Sequence, residues 1–421
     1  MSLLLKNCRF LVTQNPKRQV VEGADVLLEG NKVSKVSKVG KNLKGDETID
    51  CSSSLVMPGL VNTHTHISMT KLRGVADDCV LEDFLEKTYK IDSKLTEKDV
   101  YGGALLGCLE SIKFGTTCFN DLYYFEDEIA KAAIETGLRA NLAWAVLDKE
   151  MTTQKGDPID NCEGFVKRWK GKNDLITPEV GVQGVYVTSK ETYERADGIA
   201  KTHGLRKHTH LSETRKEVYD QVKKTGKRPV EFLNGVGFLD NKTVAAHCVW
   251  LTKAEMDTLA KKGVSPSHNP TSNLKLASGG LAPVPEMLER GINVTLGTDG
   301  CASNNNLDLF KEMKLAALLH KNAKWDATLV PAQTALDMAT LNGAKALGIN
   351  AGSIEEGKLA DIIIVKLDKP HLVPMDKGNI ISNIVYSMEG GDVDTSVING
   401  RVVMRDRRVA NESKIINRVG R

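Results

Sequence analysis

Two histidines one residue apart, at the end of a short apolar run, constrain this chain most: Pro58-Gly59-Leu60-Val61-Asn62-Thr63-His64-Thr65-His66. A Pro-Gly turn opens the run, and the i, i+2 spacing is that of a strand, so both imidazoles fall on one face. Such a face suits a metal ion. If the strand belongs to a barrel, the pair sits at its carboxyl end, where strand-helix barrels keep their chemistry.

The rest of the chain supplies that barrel. From residue 59 onward, short apolar strands over 59–66, 116–120, 139–146, 179–183, 206–211, 243–247, 263–268 and 293–298 alternate with stretches of helical spacing such as 99–113, 125–136, 190–202, 253–262 and 284–290. Parallel neighbours need crossover connections, so eight strands joined this way predict a (β/α)8 TIM barrel of the α/β class. The connection over 67–98 is long enough to cover its mouth. Before residue 57 the pattern is that of a small antiparallel sheet, with a Gly30-Asn31 turn. After Gly352 a strand at 358–365 and a hairpin around Asn399-Gly400 return to it. Two β segments at opposite ends of one chain predict a single β-sandwich domain from residues 1–57 and 352–421, flanking a barrel of residues 58–351.

Composition bounds the partners. Of 421 residues, 41% are hydrophobic and 26% charged, with a net charge of +3 spread along the chain. That balance suits a globular protein with a small-molecule partner and gives no nucleic-acid or membrane surface. The eight cysteines form no Cys-x-x-Cys pair, which argues against a thiolate metal site and a disulfide framework. Without a signal-type N-terminus or a run of about eighteen apolar residues, a cytoplasmic protein is expected.

Further chemistry falls on strand ends: His208-Thr209-His210-Leu211-Ser212-Glu213 on the fifth, Ala245-Ala246-His247 on the sixth, and Leu296-Gly297-Thr298-Asp299 on the eighth. Imidazole and carboxylate suit one zinc or iron(II) ion, with a position left for water, and His64, His66, His210 and Asp299 make such a set. The metal makes hydroxide available near neutral pH. Glu213, near the rim, is placed to protonate a substrate, Asp299 to accept the water's proton and His247 to orient the nucleophile. His208 has the parity of His210 but lies deeper, as a core residue or a support for the ligands. His268, ending the seventh strand, is expected to face the mouth and touch substrate. A second metal is not expected, because the fourth strand, Glu179-Val-Gly-Val-Gln183, offers no bridging lysine.

Met57-Pro-Gly-Leu-Val-Asn-Thr-His-Thr-His, His210-Leu-Ser-Glu-Thr, Ala245-Ala-His-Cys-Val, the run from Ser267 to Gly279 and Leu296-Gly-Thr-Asp-Gly-Cys-Ala-Ser-Asn-Asn-Asn resemble the amidohydrolase superfamily. Within it they resemble the branch of methylthioadenosine/S-adenosylhomocysteine and 5′-deoxyadenosine deaminases. The resemblance implies one divalent metal, zinc before iron, on the four ligands named. It implies hydrolytic deamination at C6 of an adenosine-type nucleoside, with Glu213 protonating N1, and self-association of the chain.

The positions that would read the substrate depart from the branch. Asp92 stands where the branch has a glutamate resembling a ribose clamp, and Gln183 where it has a histidine ending the fourth strand. Trp144 stands where members accepting a homocysteine tail carry arginine, and Phe84 replaces a lid tryptophan. Trp144 offers no bidentate partner for a carboxylate, so a small or apolar 5′ group is expected. The departures leave another amino-substituted ring, guanine, a pterin or a triazine, as the alternative substrate.

Overall fold

The computed structural model describes residues 2–38, 43–79 and 81–419. Eight parallel strands follow one another in chain order: Leu60–Thr65, Thr116–Tyr123, Arg139–Val146, Ile176–Val182, Lys207–Leu211, Thr243–His247, Ser265–His268 and Thr295–Leu296. Between them run helices such as Glu97–Lys113, Glu126–Thr136, Lys190–His203 and Lys253–Lys262. Their starts are written locally: Thr96 and Thr252 each close a capping box with the acidic residue three positions on.

The eighth strand is much shorter than the 293–298 expected, because the chain leaves regular geometry to close the ring. Asn62 on the first strand donates to Thr298 Oγ1 at 2.7 Å and accepts from the Thr298 N–H at 3.1 Å. One residue on, the Asp299 N–H donates to the His64 carbonyl at 3.0 Å. This seam brings the first histidine pair beside Asp299.

The two ends of the chain meet in one nine-stranded sheet, in which Ile362–Lys366 pairs antiparallel with Ser54–Pro58. Apolar residues from both ends, among them Leu5, Val26, Val56, Ile362 and Val397, share one core. The N-terminal part is mixed rather than purely antiparallel. Ser2–Val12 runs parallel to Glu47–Asp50 and Ser54–Pro58, because the chain crosses back before pairing on its other side. The hairpin at Asn399-Gly400 has positive φ at both residues, 52° and 75°, as a two-residue turn of this kind requires. The connection after the first strand contains a 3-10 turn, Ile67–Leu72, and a helix, Leu81–Asp92. There Phe84 packs against Leu72, Ala76 and Ala302.

Candidate metal centre and active site

Strand register decides which side chains enter the barrel. Ala145 pairs with Gly181 and Gly181 with His208, whose ring meets His64 across the interior. His208, His210, Ala143 and Ala145 therefore face inward. On the next strand His247 pairs with Leu211, an outward register. Its left-handed φ of 75° turns the ring back to the site, and Ser212 and Asp299 take the same uncommon region at 51° and 60°. Backbone strain at three strand ends is the kind retained where a side chain must be re-aimed. Gly297 is required for another reason: a Cβ there would lie 2.6 Å from Ser267 Oγ and 2.8 Å from the His64 carbonyl.

One nitrogen from each of His64, His66 and His210 lies within 4.8 Å of the others, and the same holds for the ligand atoms of His64, His247 and Asp299. The second nitrogens show which atoms converge. His66 Nδ1 donates to the Leu122 carbonyl and His210 Nδ1 to the Gln183 carbonyl, each at 2.6 Å. A neutral ring that donates through Nδ1 has its lone pair on Nε2. Those two Nε2 atoms face each other at 3.3 Å, and Asp299 Oδ1 stands 3.4 Å from His66 Nε2 and 3.5 Å from His64 Nε2. His64 Nδ1 is engaged with His208 Nε2 at 2.9 Å, and its Nε2 is buried without a hydrogen-bond partner. The lone pairs of His66 and His210 and a carboxylate oxygen of Asp299 converge on one point, beside His64 Nε2.

Burial lowers the basicity of these imidazoles. It pushes His64 down to about 4 and His66 below the ordinary value, both opposed by the Asp299 charge. Burial works against the Asp299 carboxylate, yet the close approach of His64 and the surrounding imidazoles hold it well below the usual range. Its far oxygen accepts from Ser272 Oγ at 2.5 Å and Ser303 Oγ at 3.0 Å.

Beside this point Glu213 Oε2 stands 3.7 Å from His247 Nε2. Burial raises the Glu213 carboxyl above its ordinary value, favouring the form that carries a proton. For His247, burial disfavours the charged ring, but Glu213, Asp299 and the Asn273 amide outweigh it and raise the ring. Asn273 Oδ1 accepts from His247 Nδ1 at 2.8 Å, which aims Nε2 at Glu213.

The other expected contacts fall differently. Gln183 serves the site through its main-chain carbonyl, while its side chain donates to the Tyr186 hydroxyl at 3.2 Å. Asp92, at the end of its helix, accepts from the Tyr123 hydroxyl, and burial pushes its carboxyl up to about 6. The Tyr123 ring lies 6.1 Å from that of His66, so Asp92 stands at the edge of the site. Two expectations need correction. Trp144 alternates with inward Ala143 and Ala145, so it faces out, packed near Phe125 and Phe165 with Nε1 donating to Gln154. His268 pairs with Leu296 while its neighbour Ser267 pairs with Thr295, whose hydroxyl meets Thr63. Its ring therefore lies outside the barrel wall, 5.4 Å from His320, and not at the mouth.

Residue type alone did not reveal the supporting groups. The Leu122 and Gln183 carbonyls are main-chain atoms and carry no sequence signal. Ser272, Asn273 and Ser303 lie inside the motif runs, where their spacing after His268 and Asp299 was the available clue.

Residues 55–403 match the model of the Amidohydrolase family. A 5′-deoxyadenosine deaminase of Methanocaldococcus jannaschii is 46% identical over 419 residues, 98% of this chain and 97% of the relative. An adenosine deaminase from Xanthomonas campestris, solved with bound zinc, superposes with a TM-score of 0.95 at 31% identity, covering 99% of this chain and 97% of that one. An atrazine chlorohydrolase from Arthrobacter aurescens TC1, complexed with zinc, gives a TM-score of 0.92 at 25% identity over 99% of both chains.

Proposed function

The chain belongs to the amidohydrolase family, and from that premise we propose that it hydrolyses the 6-amino group of an adenosine-type nucleoside, 5′-deoxyadenosine foremost, to the inosine product and ammonia. The observation that carries the reading is the convergence of acceptors. Two imidazole lone pairs 3.3 Å apart, with a carboxylate oxygen at 3.4 Å, repel one another unless a cation sits between them. The donor set fits a divalent metal, with His64, His66, His210 and Asp299 as the residues that would hold it and zinc before iron(II) as the ion. When bound, such an ion supplies Lewis-acid activation of water near neutral pH.

The chain's own groups do the rest. Glu213 loads a proton on its carboxyl and delivers it to N1 of the ring as water attacks C6. Asp299 takes the water's proton at its imidazole-facing carboxylate edge, while Ser272 and Ser303 hold the other oxygen in place. Asp299 then passes that proton to the 6-amino group as the C6–N6 bond breaks and ammonia leaves, and Glu213 regains a proton from the C6 hydroxyl as the carbonyl forms. His247, aimed by Asn273, steers the attacking water through Nε2. Asp92, steadied by Tyr123, meets the ribose hydroxyls. The third strand's inward face near its carboxyl end presents Ala143 and Ala145, which suits a small apolar 5′ group better than a charged tail.

Ammonia release from a panel at equal concentration tests this reading: 5′-deoxyadenosine, methylthioadenosine, adenosine, S-adenosylhomocysteine, guanine and an amino-triazine. Turnover of the first two well above S-adenosylhomocysteine is expected. Silence on every adenosine with turnover of guanine or the triazine would transfer the same machinery to another ring.

A further inference from the structure

One buried carboxylate beside the site plays no part in the steps above. Glu217, in the first turn of helix Arg215–Thr225, is 7% exposed, and its carboxylate turns back along the chain. One oxygen accepts the Ser212 N–H at 2.9 Å and the other accepts the Glu213 N–H at 2.8 Å. A single carboxylate on two successive peptide groups is a charge-assisted clamp.

What it clamps is a loop that needs holding. Ser212 has a φ of 51°, a conformation that a residue with a side chain adopts only when its surroundings impose it. The Ser212 carbonyl also accepts from the N–H groups of Val249 and Trp250, at 3.1 and 2.9 Å, and the Leu211 carbonyl accepts from that of Cys248 at 2.9 Å. The loop carrying Glu213 is thus tied to the loop that follows His247. Thr214 accepts the Glu217 N–H at 3.0 Å and so places the clamp itself.

We propose that Glu217 is a positioning residue for proton transfer: its clamp on Ser212 and Glu213 sets the Glu213 carboxyl against His247 and the substrate ring. It acts on the chemical step and not on the metal. The proposal rests on the reading of Glu213 as the proton donor.

A double-mutant cycle tests it on the zinc-loaded enzyme with the best substrate of the panel. The four chains are the unaltered protein, Glu213→Gln, Glu217→Gln and the double variant. Metal per chain, melting temperature, kcat and KM are measured for each. Glu217→Gln keeps its metal and loses about tenfold or more in kcat, with KM within about threefold. Added to Glu213→Gln it costs less than about twofold, because the group it aims is already gone. Equal losses in both backgrounds, or an unchanged kcat in Glu217→Gln, overturn the proposal. If Glu217→Gln does not fold, Glu217→Asp enters the same cycle with the same outcomes. It keeps the charge but is one methylene too short to reach both N–H groups. A fully active Glu213→Gln refutes the donor assignment instead, and that result is read with Glu217 intact.

Discussion

Glu213 and Asp299 are both acidic side chains at strand ends, and burial disfavours the charge on each, but their neighbours leave them in opposite states. The Asp299 carboxylate faces imidazoles and stays ionised, while Glu213 is raised toward its protonated form. Their replacement therefore separates two roles. Glu213→Gln keeps the metal and loses on the order of 100-fold or more in kcat, the scale of a lost general acid. Asp299→Ala loses both turnover and metal. Metal analysis beside steady-state kinetics distinguishes the two, and a metal-depleted Glu213→Gln would contradict the division. These residues were legible in the sequence because each is a strand-end His, Asp or Glu within a recognisable run. Their supports were not. Leu122 and Gln183 act through carbonyls, and the ring direction of His247 depends on one left-handed φ that no residue type announces.

At the scale of elements, alternation along the strands sorted the remaining expectations. His64, His66, His210 and Asp299 met because three strands, the first, fifth and eighth, present them at one end of one interior, as their spacing implied. Trp144 and His268 were misread because a position near a strand's end says nothing of its face until register is known. Gly181 beside Ala145 and His208 supplies that register for the third strand, and Thr295 beside Ser267 for the seventh. The end of the eighth strand makes a close demand of its own. Gly297 leaves no room for a methyl group beside Asn269, Ser267 and the His64 carbonyl. Gly297→Ala is expected to cost about 1–3 kcal/mol of stability, the range for overpacking, and to weaken metal binding by displacing Asp299. Urea unfolding and a metal-binding titration check both, and a stable variant with unchanged affinity would show that the seam can relax.

For the whole molecule, a barrel with a sheet drawn from both chain ends was legible as strand–helix alternation flanked by two β segments. The parallel pairing of the first strand was not, since a local β pattern is silent on partner and direction. What joins the sheet to the barrel is partly ionic. Arg139, at the start of the third barrel strand, donates to Asp361 at 2.8 Å with side chains 6% and 1% exposed, and reaches Asn399 at 3.0 Å. Arg139→Met leaves Asp361 as an uncompensated buried charge and is expected to cost about 3–5 kcal/mol, read by urea unfolding. Catalysis depends on a different feature, the acceptors gathered at the carboxyl end of the barrel. The most direct test is to strip the protein of metal, titrate zinc back, and follow ammonia release from 5′-deoxyadenosine against zinc bound. Silence without metal and full activity at one zinc per chain are expected, with one ammonia per inosine-type product. Turnover by the metal-free chain, or activity that needs two zinc ions, would contradict catalysis at a single metal site.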